Sequence, residues 1–114
     1  MMTQKSIEEL KYEEAKKLIT ELQAIATFNE NITCAVNVSF DDGKGIHSAS
    51  SAIGGKSELL KMYGDIAEAI VYEFMKDHDC VCNVNETIEH AIEGALNGFQ
   101  NFKQDAKEKT DENN

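Results

Sequence analysis

Residues 32–40 read Ile32-Thr33-Cys34-Ala35-Val36-Asn37-Val38-Ser39-Phe40, and every second residue is apolar. This period of two predicts a β-strand with one buried face and one face open to water. The next five residues, Asp41-Asp42-Gly43-Lys44-Gly45, are typical of a tight turn, because Asp tolerates turn geometry and Gly permits positive φ. The stretch therefore predicts a β-hairpin whose second strand covers about residues 46–53 and is rich in small side chains.

Helical periodicity is present on both sides of the hairpin. On the N-terminal side, Ser6 and Glu9 have the spacing of a capping box, which predicts a helix over about residues 6–28. On the C-terminal side, Gly54-Gly55 ends the second strand, and an apolar stripe predicts a helix from about Ser57 to Lys76. The stripe is so wide that we expect neighbours to cover this helix on two sides.

A third helix is predicted to begin near Asn85, which is an acceptable N-cap. Gly94 and Gly98 lie within it and favour a close helix crossing, which would offset their low helix propensity. Residues 103–114 have almost no apolar content, so we expect a disordered charged tail. The sequence thus predicts a single α+β domain over residues 1–102, in the order α-β-β-α-α, with the hairpin packed on two or three helices.

The predicted hairpin is too small to be stable alone. A two-stranded sheet is marginal in water, and both of its edges are open to further pairing. Two hairpins that pair across a two-fold axis would form a four-stranded sheet and complete the core. We therefore expect a homodimer or a higher homo-oligomer.

The charge of the chain argues against direct nucleic-acid binding. The net charge is -10, from 21 acidic and 11 basic residues, and every basic residue is Lys. Arg is the usual residue for phosphate and guanine recognition, and phosphate neutralisation supplies much of the affinity for nucleic acids. A basic protein is the partner that this composition favours.

The sequence also lacks the apolar runs that direct chains to membranes. No stretch approaches the length of about 18 uninterrupted apolar residues that is typical of a membrane span. The first residues carry Glu8 and Glu9, where a secretion signal would be apolar. We expect a cytoplasmic protein without membrane contact.

An acidic surface is predicted on the second and third helices. Nine acidic residues lie between Glu58 and Glu93, and only two Lys residues oppose them. One interpretation is a solvated face that keeps the protein soluble. The other is a docking surface for a basic groove, since complementary charge raises association rates and selects partners. The partner-binding residues of this hypothesis are Asp65, Glu68, Glu86, Glu89 and Glu93.

The turn between the second strand and the second helix has the position of an anion site. Free backbone N–H groups and the helix dipole attract anions there. A P-loop would need glycine at position 50, which holds Ser50, so a nucleotide hydrolase is not predicted. Two interpretations stay open, a plain turn with Ser57 as N-cap and a nucleotide or anion site. The ligand-binding residues of the second are Ser50, Gly54, Gly55, Lys56 and Ser57.

His78, Cys80 and Cys82 are candidate metal ligands. Zinc favours Cys and His, but two or more residues normally separate its paired cysteines, so no metal ligand is predicted here. Cys34 fits the apolar register of the first strand, and three cysteines do not suggest a disulfide framework. The histidines, His78 included, belong to no recognisable catalytic constellation. We therefore predict a protein that is not an enzyme and needs no cofactor.

Together these observations predict a small acidic protein that occupies or inhibits a partner protein. A basic, nucleic-acid-handling host protein fits the charge best. The shortness, acidity, AT-rich coding bias and lack of a catalytic signature are compatible with small proteins encoded by phages or other mobile elements. Two alternatives stay open: a homo-oligomeric protein that binds or sequesters a nucleotide or anion, and a structural subunit of a larger assembly. Binding that weakens as salt rises would favour the first hypothesis.

Overall fold

A computed structural model describes residues 6–112, except for the side chains of residues 110–112. The helices are α1 (Ile7–Thr27), α2 (Lys56–Asp77) and α3 (Cys82–Glu112), and the strands are β1 (Cys34–Asp41) and β2 (Ile46–Ile53). This order and the antiparallel pairing of β1 with β2 confirm the predicted α+β class. The chain divides into two compact units after Asp65, and the extent of the single domain proposed from the sequence stays a prediction.

The register of the hairpin separates an apolar face from a polar face. Cys34 lies opposite Ile53, and Val38 lies opposite Ala49, so the apolar alternation of β1 meets a row of small or apolar residues on β2. On the other face Asn37 lies opposite Ser50, and both are exposed. The alternation in β1 therefore places its apolar and polar residues on opposite faces of the sheet, as predicted.

Carboxylates of two aspartates hold the hairpin turn. Asp41 Oδ1 accepts a hydrogen bond from the Gly43 N–H at 2.9 Å. Asp42 Oδ1 accepts from the N–H groups of Lys44 and Gly45 at 2.8 and 2.9 Å. Gly43 has a φ of 88°, a conformation in which any residue with a Cβ is strained. The Asp and Gly residues of positions 41–45 thus form the tight turn that they predict.

The core lies where α1 packs on the hairpin. Ser6 caps α1, because its Oγ accepts a hydrogen bond from the Glu9 N–H at 3.1 Å. α1 contacts both strands. Within the described part of the chain, the buried apolar residues are Ile19 and Ala26 of α1 and Cys34 of β1. Cys34 thus behaves as a small core hydrophobe, as its register predicts.

The apolar stripes of α2 and α3 remain largely open to solvent. α2 has no buried residue, and Asn83 is the one buried residue in the described part of α3. The two-sided cover expected for the second helix is therefore not found among the described residues.

α3 is longer at both ends than the sequence predicts. It begins at Cys82 rather than near Asn85, and it continues to Glu112, through most of the segment expected to be disordered. Low apolar content prevents burial, but Lys, Glu, Gln and Ala are strong helix formers. Gln104 also donates to Glu108 at 3.1 Å, a stabilising i, i+4 pair. Residues 113–114 lie outside the described part of the chain.

We predict that Gly54→Ala destabilises the fold by about 1–3 kcal/mol. Gly54 has a φ of 144°, and an added Cβ would lie 2.8 Å from Oγ1 and 3.0 Å from Cβ of Thr33. Urea unfolding followed by circular dichroism measures the loss. Gly45→Ala is the matched control, because a Cβ there meets nothing within 4 Å and φ is not positive. Equal losses in the two variants would contradict this account of Gly54.

Candidate functional site

The most extensive candidate site is the exposed apolar stripe of α3. Its members recur at spacings of three and four residues, so they lie on one side of the helix. Each is between 39% and 72% exposed, although side chains of these types are normally covered. We call this set the α3 seam: Val84, Ile88, Ile92, Leu96, Phe99 and Phe102.

The acidic residues predicted on α3 border the seam on the polar side of the helix. Glu86, Glu89 and Glu93 are all exposed and share that side, as their spacing predicts. His90 Nδ1 lies 4.0 Å from Glu93 Oε2, and both side chains are mostly exposed. Such exposed pairs contribute little to stability. α3 therefore exposes both an apolar stripe and a row of carboxylates. From the sequence, the carboxylates were expected to be exposed and the apolar stripe to be buried.

The acidic residues predicted on α2 lie on a different helix. Asp65 forms an ion pair with Lys61, whose Nζ lies 3.2 Å from Oδ2. Glu68 is exposed one turn further along α2. Lys61 therefore partly neutralises this segment, whereas no Lys lies on α3 before Lys103.

The turn before α2 favours the structural interpretation over an anion site. α2 begins at Lys56, and its first helical hydrogen bond runs from the Leu59 N–H to the Gly55 carbonyl at 3.0 Å, so Gly55 rather than Ser57 is the N-cap. The Glu58 carboxylate folds back over Gly55, where an added Cβ would collide with Oε2. A carboxylate of the chain itself thus occupies the electropositive end of the helix.

The residues of the predicted ligand set lie in two places. Gly54 to Ser57 are contiguous at this turn, whereas Ser50 lies on the exposed face of β2 opposite Asn37. Lys56 is exposed in the first turn of α2. This arrangement offers an anion the exposed ammonium group of Lys56.

The connector between α2 and α3 gathers three metal-ligating side chains. One ligand atom each from His78, Cys80 and Cys82 lies within 4.8 Å of the others. The Cys82 N–H donates to Cys80 Sγ at 3.1 Å. A hydrogen bond from the Cys82 thiol, followed by this N–H, lowers the pKa of Cys80, and the same thiol contact raises the pKa of Cys82.

Asn83 holds this connector in place and was not identified from the sequence. It is only 7% exposed. Its Nδ2 donates to the His78 carbonyl at 2.6 Å and to Met75 Sδ at 3.2 Å. A short polar residue near a helix start normally marks a cap, so nothing in the sequence distinguishes Asn83 from Asn85 as the buried one.

A small cleft lies between α1 and the tip of the hairpin. Its volume is about 170 Å³, below the range of roughly 300–1,000 Å³ typical of ligand pockets. The rings of Tyr12 and Phe40 stack with a centroid distance of 5.6 Å, and Phe40 stacks on His47 at 6.4 Å. The cleft is not apparent from the sequence, because its walls are distant along the chain. The lining residues are Glu9, Tyr12, Glu13, Lys16, Phe40, Asp42 and His47.

No protein-family model, curated protein sequence or solved structure matches the chain. Among the described helices, none combines the length and the apolar character needed to cross a membrane.

We predict that Asp42 titrates near pH 2 in the folded protein. The hydrogen bond with His47 at 2.7 Å, and then the N–H groups of Lys44 and Gly45, lower its pKa from 3.8 to about 2. Between these values the unfolded chain holds more protons than the folded chain. The stabilisation is thus complete above the unfolded pKa and is lost as pH falls through about 2.

Nuclear magnetic resonance of the Asp42 carboxyl carbon measures this midpoint. His47→Ala should raise the midpoint towards its ordinary value, whereas His90→Ala, on α3, should leave it unchanged. A midpoint near the ordinary value in the unmodified protein would show that the His47 contact does not form in solution.

Proposed function

We propose that this protein is a non-enzymatic binding protein that inserts α3 into a groove of a basic partner protein and so blocks it. The observation that carries the proposal is the exposed α3 seam. An amphipathic helix laid in a groove is a common recognition mode, and its anchors recur at the spacing of the seam. The occupied groove would have an apolar floor for the seam and Lys or Arg at its rim.

The apolar area of the seam supports a binding role. Full burial of one large aliphatic or aromatic side chain contributes about 1.5–3 kcal/mol. The six seam residues are roughly half exposed, so a partner that covers them gains several kcal/mol before the costs of association. Extended apolar patches with a polar border are typical of interaction surfaces rather than of inert solvated faces.

The charge beside the seam supports a basic partner. Glu86, Glu89 and Glu93 border it, and no Lys occurs on α3 before Lys103. With a net charge of -10, the chain as a whole attracts a basic protein at long range. The same charge repels nucleic acid, so a basic groove that normally holds nucleic acid is the target that fits best. This role in the cytoplasm, as an inhibitor of the kind encoded by phages, is consistent with the composition.

We predict that the double substitution Ile92→Asp and Phe99→Asp abolishes partner capture. Both changes place a charge inside the seam, where burial without a counter-ion is costly. Affinity capture from a host lysate identifies the retained protein by mass spectrometry, and titration calorimetry with that purified protein then measures Kd. We expect the double variant to weaken binding at least about tenfold, equivalent to about 1.4 kcal/mol.

Asn97→Asp with Asn101→Asp is the matched control for this experiment. It adds the same two charges to the polar side of α3 and leaves the seam unchanged. Circular dichroism shows whether both variants keep their helix content. Equal affinity of the two double variants for the partner would contradict the proposed role of the α3 seam in binding. An affinity that does not change with salt concentration would contradict the proposed Lys or Arg residues at the rim of the partner's groove.

Homo-oligomerisation is a second proposal that concerns a different surface. β1 and β2 form a two-stranded sheet, and neither edge has a further strand among the described residues. Such a sheet is marginal alone. We predict that light scattering at micromolar concentration gives at least twice the chain mass of 12.7 kDa. A monomeric mass would argue against pairing through the hairpin and would leave the α3 proposal unaffected.

A further inference from the structure

We propose that His78, Cys80 and Cys82 form a zinc-binding site at the junction of α2 and α3. Zinc is bound in proteins by thiolate sulfur and imidazole nitrogen, and this cluster supplies two of the first and one of the second. This proposal does not rest on the α3 seam or on partner binding.

The distances within the cluster fit a tetrahedral ion after a small adjustment. Bonds of about 2.3 Å to sulfur and about 2.0–2.1 Å to nitrogen place the ligand atoms of a tetrahedral site roughly 3.5–3.8 Å apart. The three ligand atoms already lie within 4.8 Å of one another. Small side-chain rotations at an exposed His78 and at two half-buried cysteines close the remaining gap.

The backbone of the connector brings the ligands together despite their short spacing. The Asn83 N–H donates to the Cys80 carbonyl at 3.1 Å, so the chain turns at this point instead of extending. The Asn83 side chain holds the His78 carbonyl at 2.6 Å from the other side. In an extended chain, the side chains of a Cys-x-Cys pair would not converge on one ion. Here the turn keeps the Cys80 and Cys82 sulfur atoms within 4.8 Å of each other.

The surroundings of the cluster favour a bound cation. The Cys82 N–H already donates to Cys80 Sγ, a contact that stabilises a thiolate. Asp77, Asp79 and Glu86 flank the ligands in sequence, against the single nearby Lys76. Binding replaces the two thiol protons with one Zn²⁺, so two protons leave for each ion bound. Water completes the fourth position of the site.

Titration of the reduced full-length protein with Co²⁺, followed by displacement with Zn²⁺, tests the proposal. Thiolate ligands give Co²⁺ a sulfur-to-metal charge-transfer band, and we expect this band to saturate at one ion per chain. Loss of even a second-shell partner lowers metal affinity about 10–100-fold. Cys80→Ala, Cys82→Ala and His78→Ala should therefore each weaken binding by at least about tenfold.

Two variants with the same chemical change serve as controls. Cys34→Ala removes the buried thiol of β1, and His90→Ala removes an exposed imidazole of α3, and neither should alter the titration. Absence of the charge-transfer band would overturn the proposal, as would equal losses in Cys34→Ala and Cys80→Ala. A Cys80–Cys82 disulfide that forms on exposure to air despite excess Zn²⁺, seen as a loss of two hydrogens by mass spectrometry, would also overturn it.

Discussion

The structure depends on the contact between α1 and the β-hairpin. This is where the buried apolar residues of the described chain lie, with Ile19 and Ala26 on α1, which contacts both strands, and Cys34 on β1. The stack of Tyr12 on Phe40 extends the contact towards the hairpin turn. A core this small leaves little reserve of stability, because domains of this size are stable by only about 5–15 kcal/mol. Additional burial by a partner therefore has a large effect on the population of folded chains.

Sequence reasoning succeeded where the signal is local. The alternation in residues 32–40 specifies β1, the Asp and Gly residues of positions 41–45 specify the turn, and Ser6 with Glu9 specifies the start of α1. Each of these features depends on residues within about five positions of one another. The same reasoning placed the acidic row of α3 on one side of that helix, because helical spacing alone decides it.

Features that depend on distant contacts or on side-chain rotamers could not be predicted in this way. The cleft beside His47 needs α1 and the hairpin tip to meet. The fold of Glu58 over Gly55 is a rotamer choice, and the cap of α2 is Gly55 rather than Ser57. The apolar periodicity of α2 and α3 predicts which side chains share one face of each helix. It does not show that another part of the same chain buries that face. Residues 103–112 belong to α3 although their apolar content is low, since a segment can be helical without burying side chains.

The open seam of α3 has a consequence for the motions of the free protein. A helix without tertiary cover is held by its own propensity, whereas most helical stability in proteins comes from the packing of an amphipathic face. Gly94 and Gly98 each lower that propensity by about 1 kcal/mol relative to Ala. The middle of α3 should therefore open and close often, and its amide protons should exchange with solvent far faster than those of β1. A partner would then bind the helical members of this ensemble, and part of its binding energy would be spent on ordering α3, which lowers the affinity.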